Sequence, residues 1–185
     1  MSLRPQNNSD LEHAFPSNVR NDVLVALSAL PDNPHGVGSF TAQVNGEAVS
    51  IPYRVYHDTT LIHVDKLSSL QIHLIDCVLT RHNDGIVRQK HLVRMVTSDN
   101  PWVPPFVVQL VGEYVVEIIQ VVAANLSNLN VSLYARFLRA NPDFLALTEQ
   151  RVTSYWGCYH RSANRGEYVG FRVLDFFKGL VVAKE

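Results

Sequence analysis

Residues 106–126 read FVVQLVGEYVVEIIQVVAANL, and this run limits what the rest of the chain can fold into. It approaches the length that crosses a bilayer, about 20 residues. Glu113 and Glu117 stand near its middle, where a carboxylate is costly in lipid. The run is therefore read as a helix buried in protein, with no membrane involved. Its polar residues, Gln109, Glu113, Glu117 and Gln120, are spaced four, four and three apart, which gathers them into one narrow stripe. All other faces are apolar, so the spacing predicts a long central helix, starting near Pro105 and covered on most sides.

The remaining chain has to supply that cover. At 185 residues it fits one domain and can bury a core without disulfides or metals. Hydrophobic residues make up 46% and charged residues 18%, a globular balance rather than a disordered one. The net charge of -1 gives no general pull toward nucleic acid or acidic membranes. The start, MSLRPQNNSDLEH, lacks the apolar segment of a secretory signal. Residues 1–15 are expected to be a flexible tail and 16–185 a single domain, in the cytoplasm. Cys77 and Cys158 belong to no CxxC or Cys/His cluster. They read as two buried thiols of a reduced protein rather than as a zinc site or a disulfide.

Val19, Val23, Ala26, Leu27 and Leu30 share one helical face, which predicts a helix over 17–30 stopped by Pro31 and Pro34. His35-Gly36-Val37-Gly38 reads as a turn. Residues 38–64 carry the β signal. In SFTAQV-NG-EAVSI the Asn45-Gly46 pair sits between two alternating runs, a hairpin signature. A two-residue loop opposes Val44 to Glu47, Ala42 to Val49 and Phe40 to Ile51, so those apolar residues share one face. YRVYH after Pro52 is a further extended candidate, and residues 61–64 a short strand.

Residues 66–182 read as helices. Ser68-x-x-Gln71 is a capping box with Leu67 and Ile72 placed for a staple, opening a helix to about residue 81. Asn83-Asp84-Gly85 breaks it. Asp84 can cap the next helix, over 86–97, with Ile86, Val87, Leu92, Met95 and Val96 toward the core. Asn130 caps a short helix. Asn141-Pro142 opens a longer one to about Tyr159, with Asn as cap and Pro at the first helical position. A last helix over 170–178 is expected to stop at Gly179.

Asp84-Gly85-Ile86-Val87-Arg88 fits the D-x-x-V-R found where the second helix of a HEAT repeat begins. Residues 67–97, a helix, a polar corner and a helix, resemble one HEAT hairpin. The resemblance implies a helix-capping Asp84 and an Arg88 that reaches a polar seam between repeats. It departs from the pattern at His91, where such repeats favour a small residue. No period of about 40 residues recurs, as an array of such repeats would require.

Three kinds of chemistry are candidates. First, Arg81, His82, Arg88 and His91 could answer Glu113 and Glu117. That arrangement is a structural ion-pair seam, a solvated stripe or a pocket of a hydrolase-like enzyme, with Arg81, His82, His91, Glu113 and Glu117 as its candidate residues. A metal on Glu113, Glu117 and His91 is disfavoured, because helical carboxylate sites use Glu-x-x-His pairs and the chain has none. No metal and no cofactor is expected.

Second, His57-Asp58 and His63-x-Asp65 could present a histidine beside a carboxylate, although Asp58 suits a turn and Asp65 the lead into a helix. Cys158 and His160 diverge by about 200° on a helix. Cys77 and His73 share a face but have no oxyanion feature. No nucleophile elbow and no phosphate loop is present.

Third, "QRVTSYWGCYHRSANRGEYVGFR" sets Arg151, Arg161, Arg165 and Arg172 against one acid, Glu167. Arg151, Tyr155, Trp156, Tyr159, His160, Arg161 and Arg165 are the candidate binding residues. Arginine among aromatics is the composition of protein interfaces. It is also that of single-stranded nucleic-acid platforms. Alternatively, the rings close the core. The expectation is a mainly α (α+β) fold, with five or six helices around the central one and a small N-terminal hairpin. The expected function is an interaction, adaptor or assembly role, through a protein partner or self-association. The alternatives are the hydrolase-like pocket and single-stranded nucleic-acid binding through 151–172.

Overall fold

A computed structural model describes residues 8–33, 38–162 and 164–183. Among these residues the protein is mainly α-helical with one two-stranded antiparallel sheet. It forms two compact units, Met1–Met95 and Val96–Glu185.

The first unit opens with α1 (Asn8–Leu11), a 3-10 turn (Glu12–Ala14) and α2 (Arg20–Ser28). Leu11, Ala14 and Phe15 are buried, so residues 8–15 pack against the unit where a loose tail is expected. All five residues assigned to the face of α2 and its flanks, Val19, Val23, Ala26, Leu27 and Leu30, are buried. Pro34 and the turn ascribed to His35-Gly36-Val37 lie outside the described residues.

The hairpin follows, β1 (Ser39–Val44) and β2 (Glu47–Pro52). Its register pairs Phe40 with Ile51, Ala42 with Val49 and Val44 with Glu47, as the alternation predicts. Asn45 (φ 51°) and Gly46 (φ 85°) are both left-handed, the backbone of a type I′ turn, which few other residue pairs adopt cheaply. Phe40, Ala42, Val44, Val49 and Ile51 form the buried face.

Beyond β2, Val55 makes a single parallel bridge to His82. Its N–H donates to the Arg81 carbonyl at 2.9 Å and its carbonyl accepts from Asn83 N–H at 2.9 Å. The strand expected at 61–64 is absent. Thr59–Leu61 is a 3-10 turn, and Asp58 caps it by accepting from Thr60 N–H at 3.0 Å. A lone four-residue run has no partner strand to satisfy its backbone groups, and the Asp cap offers them a local one.

α3 (Ser69–Leu79) starts at the full capping box of Ser68 and Gln71. Gln71 also donates to Asp22 at 2.9 Å, tying α3 to α2. α4 (Gly85–Met95) packs on α3, and Asp84 accepts from Ile86 N–H at 2.8 Å. The inward face of α4 differs from the hydropathy reading. Ile86 is 76% exposed, while Arg88 and His91 are buried with Leu92 and Met95. Those four residues fall on one helical face, and the two polar ones find buried partners there.

The second unit holds α5 (Val103–Val111), α6 (Val116–Ala124), α7 (Val131–Ala140), α8 (Pro142–Tyr159) and α9 (Val169–Val182). The predicted long central helix is therefore two helices, broken at residues 112–115. Gly112 lies so close to Arg151 that a Cβ there would sit 3.1 Å from that residue's Cβ and Cδ. Val115 is extended (φ -84°, ψ 101°). The break lets the halves turn different faces inward. All of α5 is buried, whereas α6 buries Ile118, Ile119 and Val122. α5 and α9 each contact all four other helices of the unit, one another included. These two occupy the centre of the unit.

Asn130 caps α7 by accepting from Leu133 N–H at 3.1 Å. Asn141, expected to cap α8, turns back and donates to the Phe137 carbonyl at 2.8 Å, serving the end of α7. α9 does not stop at Gly179. It runs to Val182, buries Leu180, and receives the Arg139 guanidinium on the carbonyls of Leu180 (3.3 Å) and Ala183. A cation on those last carbonyls supports the extra turn against the glycine.

Candidate functional site

The corner between α3 and α4 holds the basic cluster read from the sequence. Arg81 is fully buried. Its guanidinium donates to the carbonyls of Pro52 (3.3 Å) and Tyr53 (3.0 Å) and lies 5.9 Å from the Phe40 ring centroid. His82 Nδ1 accepts from Asp84 N–H at 3.0 Å, so its proton is on Nε2, which faces the His57 carbonyl at 2.9 Å. Arg88 donates to the carbonyls of His82 (2.7 Å) and Asn83 (2.9 Å). These groups hold the corner and the hairpin together.

Glu113 and Glu117 belong to the second unit. Glu113 is buried in the α5–α6 break and Glu117 is exposed on α6, so the break divides the expected carboxylate stripe. His57 and Asp58 also part. His57 Nδ1 donates to the Pro31 carbonyl at 2.8 Å, while Asp58 caps the 3-10 turn. Burial holds His57 below the ordinary imidazole range, helped by the nearby His82 and opposed by the Pro31 carbonyl and Asp32. His63 and Asp65 are exposed on an irregular segment. The Cys77 thiol is fully buried, and burial and the Asp76 charge push its pKa well up. Such a thiol is a poor nucleophile. Cys158, expected to be buried, is exposed on α8.

His91 has a partner that the sequence reading did not single out. Its Nδ1 lies 2.6 Å from Asp76 Oδ1. A carboxylate only accepts, so Nδ1 carries the proton. Asp76 Oδ2 lies 3.4 Å from Arg94 Nε. Asp76 is buried, and the three side chains line a cavity of about 180 Å³ bounded by α3, α4 and residues 59–64. Lys90 joins them, and the rest of the wall is largely apolar, with Ile62, Ile72, Ile75 and Leu79. Among the described residues, no group of three His, Cys, Asp or Glu side chains could hold a metal ion.

In the second unit the Arg/aromatic segment divides. Tyr155 and Tyr159, one turn apart on α8, stack at 6.2 Å. Tyr114, from the α5–α6 break, meets them at 6.0 Å and 6.5 Å. Tyr114 is 51% exposed and Tyr159 67% exposed. Sequence reasoning missed Tyr114, because it was placed inside a continuous helix. Trp156 instead packs edge-on against Phe171 at 5.7 Å, and His160 stacks on buried Tyr168 at 5.0 Å. Arg165 lies over Phe171 at 4.4 Å. Arg161 and Arg172 are exposed, and Arg151 is half-buried beside Gly112. Glu167, the segment's one acid, accepts from Asn164 N–H at 3.2 Å.

No described helix is long and apolar enough to cross a membrane. Comparison with protein-family models, with curated proteins and with solved structures finds no match.

Proposed function

We propose that this protein is an interaction subunit that docks an acidic segment of a protein partner on its second unit, in the cytoplasm. The carrying observation is the cluster of Tyr114, Tyr155 and Tyr159, a stacked pair with a third ring tilted against it, half or more exposed at two of the three positions. Tyrosines give large contact area at low entropic cost and are enriched among interface hot spots. The charge of the segment selects the partner. Arg161, Arg165 and Arg172 are exposed, and the segment's one acid, Glu167, is already hydrogen-bonded to Asn164, so an acidic chain with an apolar or aromatic anchor is complementary. An exposed thiol at Cys158 suits a reducing compartment. The α3–α4 pair resembles a HEAT hairpin, a scaffold suited to protein contacts, although Arg88 bonds its own corner.

The test is an array of peptides that combine Asp/Glu runs with one Trp, Phe or Leu, probed with the full chain and followed by titration. Retention of acidic, anchored peptides is expected. Tyr155→Ala with Tyr159→Ala should weaken them roughly 30-fold or more, the scale of a hot-spot loss. Equal binding by the double variant, or by neutral peptides, overturns the reading. So does tight, steeply salt-dependent binding of oligo(dT), which assigns the surface to single-stranded nucleic acid. A dimer in light scattering that the double variant disperses makes a second copy the occupant instead.

A further inference from the structure

We infer that the cavity between α3 and α4 is a binding site for a small carboxylate with a ring-sized apolar body. The buried carboxylate of Asp76 lines the site. A carboxylate in such a place requires positive or donor partners, and it has two, His91 Nδ1 at 2.6 Å and Arg94 Nε at 3.4 Å. The bond to His91 fixes the ring, as carboxylates hydrogen-bonded behind ligating and catalytic imidazoles fix those rings. The other ring nitrogen, Nε2, has no protein partner among the described residues, and His91 lines the cavity. A fixed imidazole with a free nitrogen at a cavity wall is a preorganised polar contact for something that enters.

The charges decide what enters. Lys90 and Arg94 are cationic and Asp76 is the only carboxylate on the wall among the described residues, so those side chains carry one surplus positive charge before His91 is counted. Arg94 keeps 44% of its side chain exposed. It can therefore bridge Asp76 and an incoming anion with different nitrogens of the same planar fork. One proton from solvent accompanies the anion and is shared between Nε2 of His91 and the ligand carboxyl. No covalent step is involved.

The apolar wall decides the body. Ile62, Ile72, Ile75 and Leu79 offer no donor or acceptor, which suits hydrocarbon. A cavity of about 150 Å³ takes a benzene-sized guest, so about 180 Å³ holds one ring or a short branched chain. The 3-10 turn at Thr59–Leu61 and the irregular segment after it close one side. They give the site a wall that can yield more easily than a helix as a ligand enters. The site lies wholly in the first unit and shares no residue with the tyrosine surface, so it stands or falls independently of the proposed docking role.

The probe is sodium benzoate, titrated into the full chain and followed by amide chemical shifts, with benzamide as the neutral isostere. Saturable binding is expected, with the shifts concentrated on residues 59–64 and on α3 and α4. Benzamide should bind about tenfold more weakly, the loss of one charge-assisted contact. Ile62→Trp, which plugs the cavity from the irregular segment, should abolish the benzoate response while leaving the melting temperature near that of the parent. Arg94→Gln should weaken benzoate more than benzamide. If Arg94→Gln fails to fold, Lys90→Gln on the exposed rim reads the same charge. Equal affinity for the two probes overturns the assignment. So does an undiminished response in Ile62→Trp, or a response that never saturates.

Discussion

His57 is the residue whose surroundings speak most directly to pH. It is buried, its Nδ1 proton is committed to the Pro31 carbonyl, and Nε2 has no partner among the described residues. Burial lowers its pKa below 6.5, and His82 adds to the shift while the Pro31 carbonyl and Asp32 oppose it. A group with a depressed folded pKa binds fewer protons folded than unfolded between its two pKa values. Stability is then full above about 6.5 and falls as the pH drops through that window toward the folded value. We therefore expect urea midpoints to decrease from pH 7 to pH 5. His57→Asn keeps a donor near the Nδ1 position but does not titrate. Its midpoint should depend less on pH across that window, and a profile parallel to the parent's would remove His57 as the cause. Two polar residues of α4 were hard to read for a related reason. Hydropathy turns Ile86 inward and Arg88 outward, yet the reverse holds. The deciding groups are the His82 and Asn83 carbonyls for Arg88 and the Asp76 carboxylate for His91. The last is fifteen residues away on another helix, beyond any local pattern.

Two glycines of α9 show how an element's context sets the sign of one substitution. A Cβ at Gly170 would sit 2.6 Å from Tyr168 Cε1 and 2.9 Å from Val152 Cγ1, both on buried residues. Overpacking of that kind costs about 1–3 kcal/mol, which exceeds the roughly 1 kcal/mol an alanine gains in a helix interior. Gly170→Ala should lower the stability. Gly179 has open space around it, with nothing within 4 Å of a Cβ, so Gly179→Ala should raise the stability by about 0.5–1 kcal/mol. Chemical denaturation of the pair checks both signs, and two changes in the same direction would sink the argument. The same contrast explains which elements were legible. The hairpin was readable because a left-handed Asn-Gly turn and a two-residue period are local properties. The α5–α6 break was not, because Gly112 looks like any tolerated glycine until Arg151 is found pressed against it. With the break unseen, Tyr114 had no reason to leave its helix, and the surface it completes with Tyr155 and Tyr159 stayed half-read. Tyr155 and Tyr159 themselves were visible at a spacing of four, the distance at which side chains meet on a helix.

Across the whole molecule, the charge is nearly balanced, 16 basic against 17 acidic residues, but it is not evenly distributed. Residues 151–172 carry four arginines and one glutamate, so the rest of the chain is net acidic. A partner docking as proposed would therefore meet a local basic field, not a global one. Such a field acts at long range and is screened over about 8 Å at physiological salt. Ring contacts act only after docking and are barely sensitive to salt. The two contributions should separate in the kinetics of a bound acidic peptide. Raising salt from low to physiological should slow association severalfold and leave dissociation nearly unchanged. Arg161→Gln, at an exposed position, should reproduce the slower association and flatten its salt dependence. Tyr159→Ala should leave association almost intact and speed dissociation about tenfold or more, since lost hot-spot contacts appear mainly in the off-rate. Stopped-flow fluorescence with a labelled peptide reads both rates. If Tyr159→Ala slows association while Arg161→Gln speeds dissociation, then the arginine is the buried anchor and the tyrosines are the rim, and the proposed docking surface has to be redrawn around Arg161 and Arg165.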